Sequence, residues 1–199
     1  QRQMCISDRC MMENLGLLDS MIAIASYRES LSYYCVPELV KQEKAFLESE
    51  DMYHPMLENP VANTIKEERG VLVTGSNASG KSTFLKTVAI SAVFAQTIHT
   101  CPARQYRTCY FQIYSSMALK DNLQGNESYY IVEIKSLKRI LNRVEEKTPL
   151  LCFVDEVLRG TNTIERISAS AQILKSLAKV HVMCFAATCL LYTSPSPRD

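Results

Sequence analysis

Residues 75–83 read Gly-Ser-Asn-Ala-Ser-Gly-Lys-Ser-Thr: two glycines with four residues between them, then a lysine and a hydroxyl side chain. The surroundings of this run decide what it can be. Gly70-Val-Leu-Val-Thr74 is apolar and predicts a buried strand, and the Leu-, Val- and Ala-rich stretch after the loop predicts a helix over 81–98. The glycines therefore fall where a strand turns sharply into a helix, the context in which this pattern cradles phosphate. Gly75 and Gly80 allow backbone angles and close approaches that a Cβ would forbid. The helix N-terminus adds a partial positive charge. Gly75, Ser76, Asn77, Ala78, Ser79, Gly80, Lys81, Ser82 and Thr83 are thus candidate nucleotide-binding positions. Lys81 is placed to reach β and γ phosphates, and the Ser82 hydroxyl to ligate Mg²⁺. A bland Gly/Ser loop is the weaker alternative.

Composition narrows the class. A length of 199 residues suits one domain, or one domain with a piece of another, and 47% apolar residues suffice for a core. The net charge of +1 gives no global sign of nucleic-acid binding, and no clustered basic stripe is visible along the chain. Eight cysteines (5, 10, 35, 101, 109, 152, 184 and 189) show no paired metal spacing. Cys152 and Cys184 lie in apolar runs, where a thiol behaves as a small hydrophobe. A reduced, cytoplasmic setting is expected rather than a disulfide framework. No apolar run reaches membrane-spanning length and no signal peptide is visible.

Both ends read as foreign to the rest. Leu190 to Asp199 breaks abruptly from the apolar run before it, and Gln1 to Arg9 has no start Met and no pattern that continues into the residues after it. Residues 1–9 and 190–199 are therefore expected to be foreign or disordered tails, and the chain to be part of a larger protein.

Met11 to about Leu31 carries apolar residues at helical spacing and predicts an amphipathic helix of nearly six turns. Residues 40–69 read as mixed and turn-rich, punctuated by Tyr53-His-Pro-Met-Leu57 and Asn59-Pro60. Tyr106 to Tyr114 predicts a strand, 121–126 a loop, and Glu127 to Val144 a long helix with charges over one face. Leu150 to Val154 predicts a second buried strand, Thr163 to Lys179 a helix, and Val180 to Ala187 a further strand. Strands alternating with helices imply an α/β fold with a mostly parallel sheet covered on both faces.

Asp155-Glu156 comes directly after the apolar run 150–154. An Asp at the carboxyl end of a strand can hold Mg²⁺ through its waters. A second carboxylate beside it is what a hydrolase needs to activate the attacking water. Small-molecule kinases need no such base, so the pair favours an ATPase.

Three segments together carry a resemblance: Thr74 to Thr83, then Gly125-Asn-Glu-Ser-Tyr-Tyr-Ile-Val-Glu133, then Asp155-Glu-Val-Leu-Arg-Gly-Thr-Asn-Thr163. Their order and spacing resemble the ATPase domain of MutS-type DNA mismatch-repair proteins. Tyr53 to Leu57 resembles the family's segment near the nucleotide base, which makes His54 a base-side residue. The resemblance implies a P-loop fold of the ABC-ATPase type, the end of a helical lever and core segment over 10–50, and the ATPase domain over 51–189. It further implies that Lys81 binds β and γ phosphates, that Ser82 and Asp155 hold Mg²⁺, and that Glu156 activates water. Asn77 matches the family's loop Asn near the γ-phosphate. Ser128 matches the signature serine that touches the γ-phosphate of a partner subunit, and Arg159 to Thr163 the segment that communicates across the dimer. Taken from the sequence alone, Ser128 is equally an ordinary helix cap. The implied function is an ATP-switched DNA clamp that self-associates through its ATP sites, with DNA held by domains outside this chain.

The chain departs from the family pattern in two places. Ser76-Asn-Ala-Ser79 stands where the family usually has Pro-Asn-Met-Gly, which points to a divergent branch. Cys189 stands where the family has a His, and is read as truncation. Three other readings stand beside the leading one. A related chromosome-maintenance or transport ATPase would use the same site without mismatch recognition, although Gly125-Asn-Glu-Ser128 is not a transporter signature. A binding module without useful turnover fits a chain that would hydrolyse slowly by itself. A small-molecule kinase is disfavoured by Glu156.

Overall fold

The computed structural model describes residues 2–76, 79–117, 129–155 and 163–188. Its elements are α1 (Arg2–Ser30), β1 (Glu38–Val40), β2 (Leu47–Met52), β3 (Asn63–Glu67), β4 (Val71–Thr74), α2 (Lys81–Thr97), β5 (Gln105–Cys109), β6 (Gln112–Ser116), α3 (Tyr129–Arg143), β7 (Leu150–Asp155), α4 (Thr163–Leu177) and β8 (Val182–Thr188). The fold is α/β with two four-stranded sheets, one ordered β4-β8-β7-β6 and the other β1-β5-β2-β3.

The first sheet is parallel throughout. On β7 and β8 successive side chains point to opposite faces, as strand geometry requires. Leu151, Phe153, Met183 and Phe185 join the cluster that includes Leu85, Val88, Ala92 and Ala95 of α2. Leu150, Cys152, Val154, Val182 and Cys184 join the cluster with Leu137 and Ile140 of α3 and Leu177 of α4. Helices thus cover both faces, and all six residues of β7 are buried. Burial has a chemical effect on the thiols. Cys152 is pushed well above the usual thiol range, first by its hydrogen bond with Cys184 and then by burial. A thiol that stays protonated is a poor nucleophile and a poor metal ligand.

The second sheet is mixed. β5 pairs parallel with β1 and antiparallel with β2, and β2 pairs antiparallel with β3. Its register carries a row of alternating charge across all four strands. Lys66 lies opposite Glu48, Glu48 opposite Arg107, and Arg107 opposite Glu38, with ion-pair distances of 3.7, 3.6 and 3.0 Å. A one-residue slip would send each of these side chains to the other face, so the row helps fix the pairing.

Several expectations are corrected. The stretch 106–114 is two strands in different sheets, β5 and β6. The break lies at Tyr110 and Phe111, where the Gln96 side chain takes over the backbone of Phe111. Its Oε1 accepts from Phe111 N at 2.6 Å and its Nε2 donates to Phe111 O at 3.1 Å. Residues 40–69 are not merely turns, since β2 and β3 lie there. α1 begins at Arg2, so residues 2–9 continue the helix expected from Met11. Residues 190–199 lie outside the described residues. β2, which contains residues 50 and 51, is tied to β5 and β3 on both sides. Leu15, Leu18, Met21 and Ile22 of α1 are exposed. No helix among the described residues is long and apolar enough to cross a membrane.

The foot of α1 rests on the far end of α2. Arg28 Nε donates to Thr100 Oγ1 at 2.8 Å and Arg28 Nη2 to His99 O at 3.1 Å, while Tyr27 meets Phe94 edge-on at 5.4 Å. A guanidinium at a helix C-terminus also complements the helix dipole.

Candidate nucleotide-binding site

The loop after β4 turns into α2 through Gly80, whose φ of 86° is left-handed and serves as the N-cap of the helix. A side chain there would be strained. Phe84 N donates to Gly80 O at 2.9 Å, which starts the helical ladder. Gly75 is needed for a different reason. A Cβ at Gly75 would stand 2.7 Å from Ser79 Oγ, inside any allowed contact. Ser79 N in turn donates to Ser76 O at 3.3 Å, closing the loop on itself.

Lys81 opens α2 and is buried. Its ammonium donates to Gly75 O at 2.8 Å and to Ser76 O at 2.7 Å. An ammonium has three protons, so two fix its position and the third remains for an anion in the cradle. Ser82 Oγ donates to Asp155 Oδ2 at 2.6 Å, across 73 residues of sequence. That contact unites the loop with the carboxyl end of β7, where Asp155 is 8% exposed. Because β4 and β7 both flank β8 in the parallel sheet, their carboxyl ends open on the same edge. Ligands of open α/β sheets bind at that edge. The helix is held to the sheet behind it by Phe84 against Phe185 at 6.2 Å and Phe185 against Phe153 at 5.7 Å.

A cavity of about 710 Å³ opens beside the loop, lined by His54, Val61, Gly75, Ser79, Lys81 and Thr83 among others. The turn between β2 and β3 forms its other wall. Tyr53 anchors that turn: its N donates to Pro102 O at 3.0 Å and its hydroxyl to Tyr33 O at 2.9 Å. His54 Nδ1 accepts from Met56 N at 3.3 Å. The size suits a nucleotide, since small-ligand pockets run from about 300 to 1,000 Å³.

Gly75, Ser76, Ser79, Gly80, Lys81, Ser82, Thr83, Asp155 and His54 are therefore brought to one region. Asn77, Ala78, Ser128 and Glu156 lie outside the described residues, as does Arg159. Sequence reasoning missed Phe84, Thr87, Asn59 and Asn63 as cavity residues. Asn59-Pro60 was legible as a turn, but nothing local shows which way the turn faces.

The residues present fit a nucleoside triphosphate with Mg²⁺. The cradle at Gly75 is one that a Cβ would fill, and Lys81 stands in its floor with a proton to donate. Ser82 and Asp155 form a pair of hard oxygen donors. Mg²⁺ takes one or two such protein oxygens and completes its shell with water and phosphate. Among the described residues no group of three His, Cys, Asp or Glu side chains is placed to hold a metal ion.

The family profile described as MutS domain V matches residues 71–194. The chain is 33% identical over 178 residues to the mouse MutS protein homolog 4, covering 84% of this chain and 18% of that protein. It is 30% identical over 189 residues to the DNA mismatch repair protein MutS of Methanosarcina acetivorans, covering 88% and 20%. Against the Thermotoga sp. protein of the same name it is 32% identical over 175 residues, covering 84% and 21%. It thus spans only 18 to 21% of the length of these three relatives. With the profile matched over more than half of its residues, the chain belongs to the MutS domain V family.

Proposed function

We propose that this chain is the ATP-binding and ATP-hydrolysing part of a MutS-like DNA mismatch-repair or DNA-binding protein, with a P-loop fold of the ABC-ATPase type. The observation that carries the reading is the 2.6 Å contact between Ser82 and Asp155 beside the buried Lys81. It joins two separate halves of a triphosphate site. MutS-family proteins are ATPases that use ATP and Mg²⁺, which supports the same reading.

In this reading the Lys81 ammonium compensates charge on the β and γ phosphates, and the loop 75–83 wraps them with backbone amides. Ser82 and Asp155 hold Mg²⁺, which supplies positive charge at the phosphate oxygens when bound. Glu156 accepts the proton of the attacking water. His54 lies on the base side. Ser128 covers the outer face of the γ-phosphate from a second subunit, so ATP joins two copies or a copy and a MutS-like partner. DNA is engaged through domains outside this chain, and the nucleotide state switches the resulting clamp.

A second reading keeps the ATPase but drops mismatch recognition, and the loop sequence Ser76-Asn-Ala-Ser79 favours it. Titration with a fluorescent ATP analogue tests the shared core of both. Lys81→Ala should abolish Mg²⁺-dependent binding, and unchanged affinity would overturn the assignment. Glu156→Gln in the full-length protein should keep the affinity and lose about 10²–10⁴-fold in hydrolysis rate. Mismatched and matched duplexes offered to the full-length protein separate the two readings.

A further inference from the structure

The helical period of α3 gathers charges that look scattered in the sequence. Leu137, Ile140 and Val144 are buried against the parallel sheet, while Lys135, Lys138, Arg139, Asn142 and Arg143 are exposed. These five, with Glu146, line a concavity of about 390 Å³. No carboxylate occurs from residue 134 to 144, and the only acidic side chain in the concavity is Glu146, which pairs with Arg143. Four cations thus share one face in a chain whose total charge is +1.

Two bland explanations fall short. The helix dipole favours cations in the last turn, which accounts for Arg143 alone. A solvated helix face usually mixes signs along its length, whereas from residue 134 to 144 this one carries only positive charge.

We propose that the basic face of α3 adds a contact of this chain's own, beside those made by domains outside it, to the phosphodiester backbone of duplex DNA without regard to sequence. Lys135 to Arg143 spans roughly 12 Å along the helix axis. Over that length one DNA strand presents three or four phosphates at about 3.4 Å of rise each. Lys, Arg and Asn are the side chains that make backbone contacts. Arg139 lies over the Tyr114 ring at 5.8 Å, a cation–π contact of the kind a guanidinium makes while its N–H donors stay available to phosphate. Among the described residues the concavity has no apolar side chain to anchor a peptide, and protein interfaces draw their energy from such anchors. The proposal rests on the DNA-binding reading above, but not on the nucleotide site.

The test is fluorescence anisotropy of a short labelled duplex with the whole chain, titrated with KCl. Affinity should fall with salt at a log–log slope of about −2 to −4, as for that number of phosphate contacts. Lys138→Gln with Arg139→Gln should weaken binding at low salt by at least about tenfold and reduce the slope by about two. Lys138→Gln alone should reduce the slope by about one. Equal thermal midpoints for parent and variants exclude unfolding. A parent that does not bind duplex at low salt, or variants that match the parent, would overturn the proposal. So would binding to poly-glutamate in place of DNA, which would make the face a protein-docking surface. ATP-analogue titration of the same samples keeps the two readings apart. A parent that binds ATP but not DNA refutes this proposal only, and one that binds DNA but not ATP refutes the nucleotide site only.

Discussion

The two sheets share an apolar cluster yet are built from opposite kinds of strand. β7 reads Leu-Leu-Cys-Phe-Val-Asp and is buried at every position, whereas β2 reads Leu-Glu-Ser-Glu-Asp-Met and buries only Leu47, Ser49 and Met52. The parallel sheet draws its stability from apolar area on two faces. The mixed sheet has one wet face, where the Lys66–Glu48–Arg107–Glu38 row fixes register more than it adds energy, since exposed ion pairs contribute little. The division matters for the site. Asp155 sits on the deeply packed sheet and His54 comes just after a strand of the adaptable one. The Asp155 end of the site therefore rests on the deeply packed sheet, and the other wall of the cavity comes from the turn after β2.

The strongest way to break this contrast is Phe153→Ala, at the centre of the parallel sheet. Phe153 is fully buried and stacks on Phe185, so chemical denaturation should show a loss of about 3–5 kcal/mol. A loss under about 1 kcal/mol would mean the packing is not what holds the sheet. Gly75→Ala should act on the site rather than on the fold. The new Cβ displaces Ser79, and ATP-analogue affinity should drop by about tenfold, or about 1.4 kcal/mol, with little change in thermal midpoint.

Tyr27, at the foot of α1, sharpens the comparison through pH. Burial, helped by neighbouring Tyr53 and Cys101, raises its hydroxyl from 10.0 to about 12. The folded state therefore keeps the proton that the unfolded chain loses first. The stabilising contribution is intact below pH 10 and disappears as pH rises from 10 toward about 12. Tyr27→Phe should flatten that part of the stability profile. It should cost little at neutral pH, because the hydroxyl is buried without a hydrogen-bond partner among the described residues. The smallest effect should come from the wet face. Arg104→Ala removes the 3.0 Å pair with Asp51 and should shift unfolding by less than about 1 kcal/mol.

How far the sequence could be read tracks the same division. Leu150 to Val154 is a continuous apolar run, and a strand covered on both faces announces itself that way. Val71 to Thr74, equally apolar and expected to be buried, is instead an edge strand with Leu72 exposed. β2 hides because its buried positions include Ser49, and because a register shift between Ser49 and Met52, with Asp51 at φ 49°, breaks its alternation. The split of 106–114 was illegible in principle, since it depends on Gln96, fifteen residues away in sequence. In the site, the spacing of Gly75, Gly80, Lys81 and Ser82 is local and was legible, and Asp155 stood out as an acid ending an apolar strand. The charged face of α3 was legible from its helical period, but its single sign was not remarked, because Ser136, Leu137, Ile140 and Leu141 interrupt the cations along the chain.

α2 has the cradle at one end and the foot of α1 at the other. Its seventeen residues make a strut of roughly 25 Å, and the 29 residues of α1 make an arm of roughly 43 Å. The two meet at Arg28, Tyr27 and Phe94. Levers multiply angles into distances. A pivot of roughly 5° at that joint sweeps the free end of the arm through about 4 Å, more than the length of a hydrogen bond. A rotation at that joint would thus be carried along some 60 to 70 Å of helix, roughly the summed length of strut and arm.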